Sequence, residues 1–394
     1  TEYTGKGIKL PSVLPSGAPI SWTSSSERID LKNMTPDEFD SDYAWAAVTR
    51  PESGSEKIVL TAKATVSGSE KTKDFEIEIE ASEALYEDPL YDGAADPMLV
   101  YNREKKQWWM FYTQRRATMV EGNETVEWVH GTNIGVAVSD DGANSFSYSA
   151  EYTKKLSETL NLEKYLDEYP SEGRDTLWAP EIVYNEGKYH MYVSYIAGVP
   201  TVYSREAYIE HFESDDLLNW RHVKQLDLGS DRVIDSCVQK IGDKFAMWFK
   251  NEKHDGGQCT YVTYSDNLYD WSTPTLAYGP DPWHEGANVF YWKDKYWMLV
   301  DEDCIFALVS DDGVNWVKDR EDLYDPTHPE DHSYQFGKVV GANHCDVVVQ
   351  DGEAYMLYFV HPNNTKKTEV KMARLQIDEN GHMFVDPEEK PEYV

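Results

Sequence analysis

The chain has 394 residues, with 37 Lys and Arg against 71 Asp and Glu, for a formal net charge of −34. Charge of this sign repels phosphate backbones and anionic lipid headgroups, which excludes nucleic-acid binding and a polybasic membrane anchor. Hydrophobic residues make up 40% and no run of about 18 apolar residues occurs, so a folded chain without a helical membrane span is expected.

Residues 1–83 carry short runs of period-two alternation: Ile20-Ser-Trp22, Tyr43-Ala-Trp45-Ala-Ala-Val48, Ile58-Val-Leu-Thr-Ala62 and Phe75-Glu-Ile-Glu-Ile79. Turn clusters such as Pro51-Glu-Ser-Gly54 and Ser67-Gly-Ser69 separate them, which predicts a small β-sandwich domain. It holds no catalytic constellation. The four cysteines, Cys237, Cys259, Cys304 and Cys345, form no C-x-x-C pair, which argues against a zinc knuckle or a thioredoxin-type site. Two disulfides or buried thiols both fit that count. A chain that starts at Thr1 without a basic-then-apolar leader fits a processed, secreted protein and equally a truncated one.

From residue 84 a phrase recurs: an apolar strand, a polar turn, then an aromatic strand. Asp96-Pro-Met-Leu-Val-Tyr101 precedes Trp108-Trp-Met-Phe-Tyr112, and Pro180-Glu-Ile-Val-Tyr184 precedes Tyr189-His-Met-Tyr192. Asp235-Ser-Cys-Val238 leads to Phe245-Ala-Met-Trp248, and Gly286-Ala-Asn-Val-Phe290 to Tyr296-Trp-Met-Leu299. Asp346-Val-Val-Val349 with Tyr355-Met-Leu-Tyr358 is the fifth copy. A second phrase, a Ser-Asp turn followed by an aromatic, falls between them at Ser139, Ser214, Ser265 and Ser310. Asp378-Glu-Asn-Gly381 stands where the fifth turn belongs. Five copies of about four short strands predict an all-β fold, a five-bladed β-propeller over residues 84–394. The insert from Glu151 to Arg174 reads as a long loop over one face.

A propeller gathers the starts of its inner strands at the mouth of a central channel. The ionisable residues at those starts are Asp96, Glu181, Asp235, Glu285 and His344. Carboxylates crowded there raise one another's pKa, so they share protons, bind a cation or do chemistry.

At these positions residues 84–364 resemble the family 43 glycoside hydrolases, five-bladed propellers acting on arabinose- and xylose-type sugars. Ala95-Asp-Pro97, Trp178-Ala-Pro-Glu181 with Gly187-Lys-Tyr-His190, Ile234-Asp-Ser236 and Glu285-Gly-Ala287 carry the resemblance. It implies Asp96 as general base, Asp235 as the carboxylate that tunes the acid and orients the sugar, and Glu285 as general acid held protonated by nearby negative charge. It also implies His344 beneath the site, near a structural calcium or its water, with no other cofactor required. Glu181 in place of the family's Asp, and Ser236 and Ala287 in place of prolines, mark a divergent branch. The related family 117 uses a His acid, which keeps His284 and His130 as rivals to Glu285. Trp178 and Trp283 are expected to stack on sugar, with Arg115, Arg232, Glu181 and His284 also binding it.

Residues 1–83 are similar to bacterial Ig-like modules that precede such propellers, through Arg50-Pro51 leading into Ile58–Ala62. The implied protein is an exo-acting, inverting glycosidase, a monomer or small homo-oligomer, secreted, at the cell surface or periplasmic. It would remove arabinofuranosyl, xylosyl or galactosyl residues. A non-catalytic glycan-binding propeller and a scaffold protein are the alternatives.

Overall fold

The computed structural model describes residues 8–36, 41–51, 54–80, 84–91, 93–115, 126–162, 174–253, 259–279, 283–301, 305–320, 342–361, 366–386, 389 and 393. The first strands are β1 (Ile8–Pro11), β2 (Ile20–Ser24), β3 (Ile29–Pro36), β4 (Tyr43–Val48), β5 (Ser55–Val66) and β6 (Ser69–Glu80). They form two three-stranded sheets, in the orders β1-β4-β3 and β2-β5-β6. Leu10, Ala46 and Val48 from one sheet meet Ile58, Leu60, Ile77 and Ile79 from the other in one apolar core. The β5–β6 turn places Ser67 at φ 51° and Gly68 at φ 76°, the double positive φ that suits a tight hairpin. The expected boundary at residue 83 lies outside the described residues.

Five four-stranded antiparallel sheets follow in chain order. The first is β7 (Ala94–Asn102), β8 (Gln107–Gln114), β9 (Asn133–Ser139) and β10 (Ser147–Tyr148); the second is β11 (Thr176–Asn185), β12 (Lys188–Ile196), β13 (Ala207–Ser214) and β14 (Arg221–Gln225). The third is β15 (Val233–Ile241), β16 (Lys244–Asn251), β17 (Cys259–Ser265) and β18 (Thr275–Tyr278). The fourth is β19 (Glu285–Trp292), β20 (Lys295–Asp301), β21 (Ile305–Ser310) and β22 (Val317–Arg320). The fifth is β23 (Asn343–Gln350), β24 (Glu353–Val360), β25 (Glu369–Ile377) and β26 (Met383–Val385). The first strands β7, β11, β15, β19 and β23 touch in that order, and β23 touches β7. That closes a ring.

The aromatic phrases explain why the sheets pack this way. In β8, Trp109 and Phe111 face the second sheet, while Met110 and Tyr112 face the fifth. In β16, Met247 and Phe249 face the second sheet and Trp248 the fourth. A strand covered on both faces needs apolar residues at every position, so these runs do not alternate.

The Ser-Asp turns are structural. Asp216 accepts from the Leu218 and Asn219 backbone N–H groups, and Asp312 does the same for Val314 and Asn315. In the third sheet Asn267, not Asp266, takes this position, accepting from Tyr269 and Asp270.

The expected loop after Glu151 begins instead as a helix, α1 (Ala150–Thr159). Ser149 caps it by accepting from the Tyr152 N–H, and Tyr152, Leu156 and Leu160, four residues apart, pack into the core between the first two sheets. Residues 163–173 of that insert lie outside the described residues. Cys237, Cys259 and Cys345 are buried and carry no disulfide; Cys304 lies outside the described residues. No described helix is long and apolar enough to cross a membrane.

Candidate active site

Every first strand breaks register just inside its start. The breaks fall between Ala95 and Met98, Trp178 and Glu181, Ile234 and Cys237, Glu285 and Asn288, and Asn343 and Cys345. Four of these bulges hold a residue in the left-handed region: Asp96 (φ 48°), Ala179 (φ 46°), Asp235 (φ 58°) and Gly286 (φ 59°). For a non-glycine residue this conformation costs about 1–3 kcal/mol, and bulges re-aim the side chains they carry. Asp tolerates it better than most residue types.

The second strand of the preceding sheet holds three of the bulges in place. The Thr113 hydroxyl accepts from the Ala179 N–H at 2.9 Å, the Ser194 hydroxyl from Asp235 N–H at 3.0 Å, and the Asp301 carboxyl from His344 N–H at 2.9 Å. By register the third sheet offers Lys250, paired with Ile234, at the same place. An ammonium has no lone pair to offer a backbone N–H. Lys250 Nζ turns instead to Glu285, donating to Oε2 at 2.6 Å, and lies 3.3 Å from Glu252 Oε1.

These strand ends surround a cavity of about 220 Å³. Asp96, Asp235, Glu285, Asp301 and Glu252 supply its carboxyl groups, and Trp128, Trp178, Tyr203 and Phe359 its aromatic surface. Arg115, Asn343, His344 and His361 also line it. His344 Nδ1 stands 3.7 Å from Asp96 Oδ1. Trp178 is fixed by donating its indole N–H to the Val129 carbonyl at 2.7 Å. Asp96 and Asp235 are buried, whereas the Glu285 side chain keeps 48% of its surface open.

The carboxyl groups divide by environment. Burial pushes Asp235 up to about 7, with the Glu285 charge adding to the rise against the pull of His344 and Lys250. Burial, reinforced by Glu285, drives Asp301 well above the carboxylate range. Burial raises Glu285 too, but the Lys250 ammonium, helped by His344 and Arg115, outweighs it and leaves that carboxyl below its ordinary value. Lys250 itself stays charged: burial lowers it, and Glu285, Glu252 and Asp235 more than restore it. The expectation that negative charge keeps Glu285 protonated is therefore corrected. Of the two, Asp235 is the carboxyl pushed toward its protonated form, because Lys250 bonds Glu285 directly.

Six sequence-derived candidates meet in the cavity: Asp96, Asp235, Glu285, Trp178, Arg115 and His344. Four do not. Arg232 sits behind the wall, donating to Glu252 at 2.7 Å and to the Tyr203 carbonyl at 3.0 Å. Trp283 is 61% exposed and outside the cavity lining. His284 is buried, with its Nε2 2.8 Å from the Thr260 hydroxyl, and His130 is buried behind Trp178. Neither rival to Glu285 reaches the cavity.

Glu181 lies two residues past its bulge position, in a lower ring. There it accepts from the Val238 N–H of the next sheet at 2.7 Å, as Asp346 accepts from Leu99 N–H at 2.8 Å. Its role is to tie sheets together. Burial and the Asp346 charge push it up to about 8. The folded state thus holds this proton more tightly than the unfolded chain, so stability falls as pH rises from the ordinary carboxylate range toward 8. Glu181→Gln keeps an acceptor for Val238 and removes that loss. Urea unfolding at pH 5 and pH 8.5 should show a smaller drop for the variant than for the parent; an equal drop would contradict the assignment.

Among the described residues no group of three or more His, Cys, Asp or Glu side chains is placed to hold a metal ion. The lower ring's acids are spent on N–H donors, Asp346 Oδ1 taking the Asn288 amide at 3.1 Å. His344, beside which a calcium is expected, lines the cavity.

No family model matches the chain, and no curated protein does. Solved structures do. A thermostable family 43 glycoside hydrolase is similar over 78% of this chain and 99% of its own, at 18% identity and a TM-score of 0.56. A family 43 β-xylosidase/α-arabinofuranosidase from a compost microbial metagenome, with xylotriose and in a calcium-free form, matches over 78% and 98%, at 15% identity and a TM-score of 0.56. A family 43 β-1,3-galactosidase with galactodeoxynojirimycin matches over 74% and 93%, at 12% identity and a TM-score of 0.53. The chain therefore has the fold of the family 43 glycoside hydrolases.

Proposed function

We propose that this protein is a glycoside hydrolase that removes terminal sugars with inversion, its five sheets forming a five-bladed propeller behind an Ig-like module at residues 1–83. The observation that carries this reading is the convergence of Asp96, Asp235 and Glu285, from three separate strands, on one aromatic-lined cavity. At about 220 Å³ it is small for a ligand pocket and suits one sugar ring, which favours exo action. Xylosyl, arabinofuranosyl and galactosyl residues are the first candidates, since the similar structures are named for such activities. Secretion, to the medium, the cell surface or a bacterial periplasm, is part of the same reading.

In an exo-acting pocket the leaving group departs through the mouth. The acid is therefore the half-open Glu285, and the buried Asp96 is the base that deprotonates a water on the far face of the ring. Asp235 and Glu285 influence each other's titration, the Glu285 charge raising Asp235. Asp235, the carboxyl raised toward its protonated form, supplies the proton that Glu285 delivers when the sugar excludes water. Trp178 supplies a flat face for the ring. A panel of 4-nitrophenyl pentosides and hexosides tests the reading: release from at least one is expected, and binding without release would turn the protein into a glycan-binding module.

A further inference from the structure

We infer that the cavity takes a sugar bearing an anionic group, a ring carboxylate or a sulfate ester, held by Arg115. This rests on the sugar-processing reading of the same cavity and adds the substrate's charge. Several arginines of this acidic chain are paired with acids, among them Arg28 with Glu56 at 2.6 Å, Arg232 with Glu252 at 2.7 Å and Arg374 with Glu389 at 2.6 Å. Arg115 is not. Its backbone N–H is fixed on the Gly93 carbonyl at 2.9 Å, and its guanidinium lies between the rings of Trp128 (5.7 Å) and Phe359 (5.9 Å). Among the described residues no carboxylate bonds it, and its buried Nε has no acceptor.

A guanidinium keeps its charge at any working pH and presents a planar fork matched to carboxylate and sulfate oxygens. The surroundings support an anion. The Trp128 ring also has Lys366 Nζ at 5.3 Å and the His361 ring at 6.0 Å. Lys250 holds Glu285, and Arg232 holds Glu252. A neutral sugar would leave the Arg115 fork with hydroxyl partners only, whereas an anion would pair with it. Chemically the step from the candidate sugars is short: a xylopyranose ring with a carboxylate on C5 is a glucuronate.

The test is calorimetry on the full chain with matched ligands, glucuronate against xylose and galactose 6-sulfate against galactose. At least one anionic partner should bind about 10-fold more tightly or better, as charge-assisted bonds to a bidentate fork do. Arg115→Gln should abolish the difference and Arg115→Lys, which keeps charge but not the fork, should shrink it. Preference for glucuronate alone identifies a carboxylate, and for galactose 6-sulfate alone a sulfate ester. Equal or weaker binding of both anions by the parent protein overturns the inference, whether or not the variants fold. A preference that persists in a folded Arg115→Gln variant overturns it as well. Nitrophenol release is scored separately: anion preference without release from any glycoside removes the hydrolase reading and leaves this one standing, and release without anion preference does the reverse.

Discussion

Replacing Asp96 by Asn should leave the fold intact and lower turnover of a competent glycoside by about 10²–10⁴-fold, the range for loss of a positioned base. Asn is the informative substitution because Asp96 sits at φ 48°, a conformation that Asn adopts at less cost than Ala. An Ala variant would mix lost chemistry with backbone strain. The amide also preserves the bulge between Ala95 and Met98, so the cavity wall keeps its shape. Sugar affinity should stay within a few-fold of the parent, which makes the loss one of kcat rather than KM. An Asn variant with near-parental turnover would remove Asp96 from the reaction.

Lys250→Met is the second large effect, and it reads on pH. Lys250 is the charge that keeps Glu285 below its ordinary value, and it also lowers Asp235. Without it both carboxyls hold their proton more tightly. If the pair must carry one proton for catalysis, the alkaline limb of the kcat/KM profile marks the loss of that proton. The limb should therefore move to higher pH in the variant. Met fills the volume of the lysine stem, and Glu252 retains Arg232 as its partner, so the fold has a route to survive. An unmoved alkaline limb in a folded variant would mean that another group donates the proton.

The repeat was legible because its cause is chemical and recurrent. Strands buried on both faces require the Trp, Phe, Tyr and Met phrases, and turns require the Ser and Asp that fold back on backbone N–H groups. The site was legible only in part, because a bulge decides which residue reaches the cavity. Asp96 and Asp235 occupy bulge positions and Glu181 stands two residues on, which the sequence shows only once strands are aligned on their hairpin turns. Lys250 and Asp301 were missed because they lie on second strands, beyond the apolar phrases. Their signal is positional: Thr113, Ser194, Lys250 and Asp301 each pair with the last residue before a bulge. Tyr203 and Trp128 sit in connections with no repeat to betray them. Helix α1 was hidden in an insert whose only mark is Tyr152, Leu156 and Leu160 at intervals of four.

Proton NMR of the first sugar released from the best nitrophenyl glycoside tests the central claim most directly. The parent protein should release free sugar whose anomeric configuration is opposite to that of the substrate, and Asp96→Asn should release almost none. Sugar released with retained configuration, or a parent protein that binds the glycosides and cleaves none, would contradict the account.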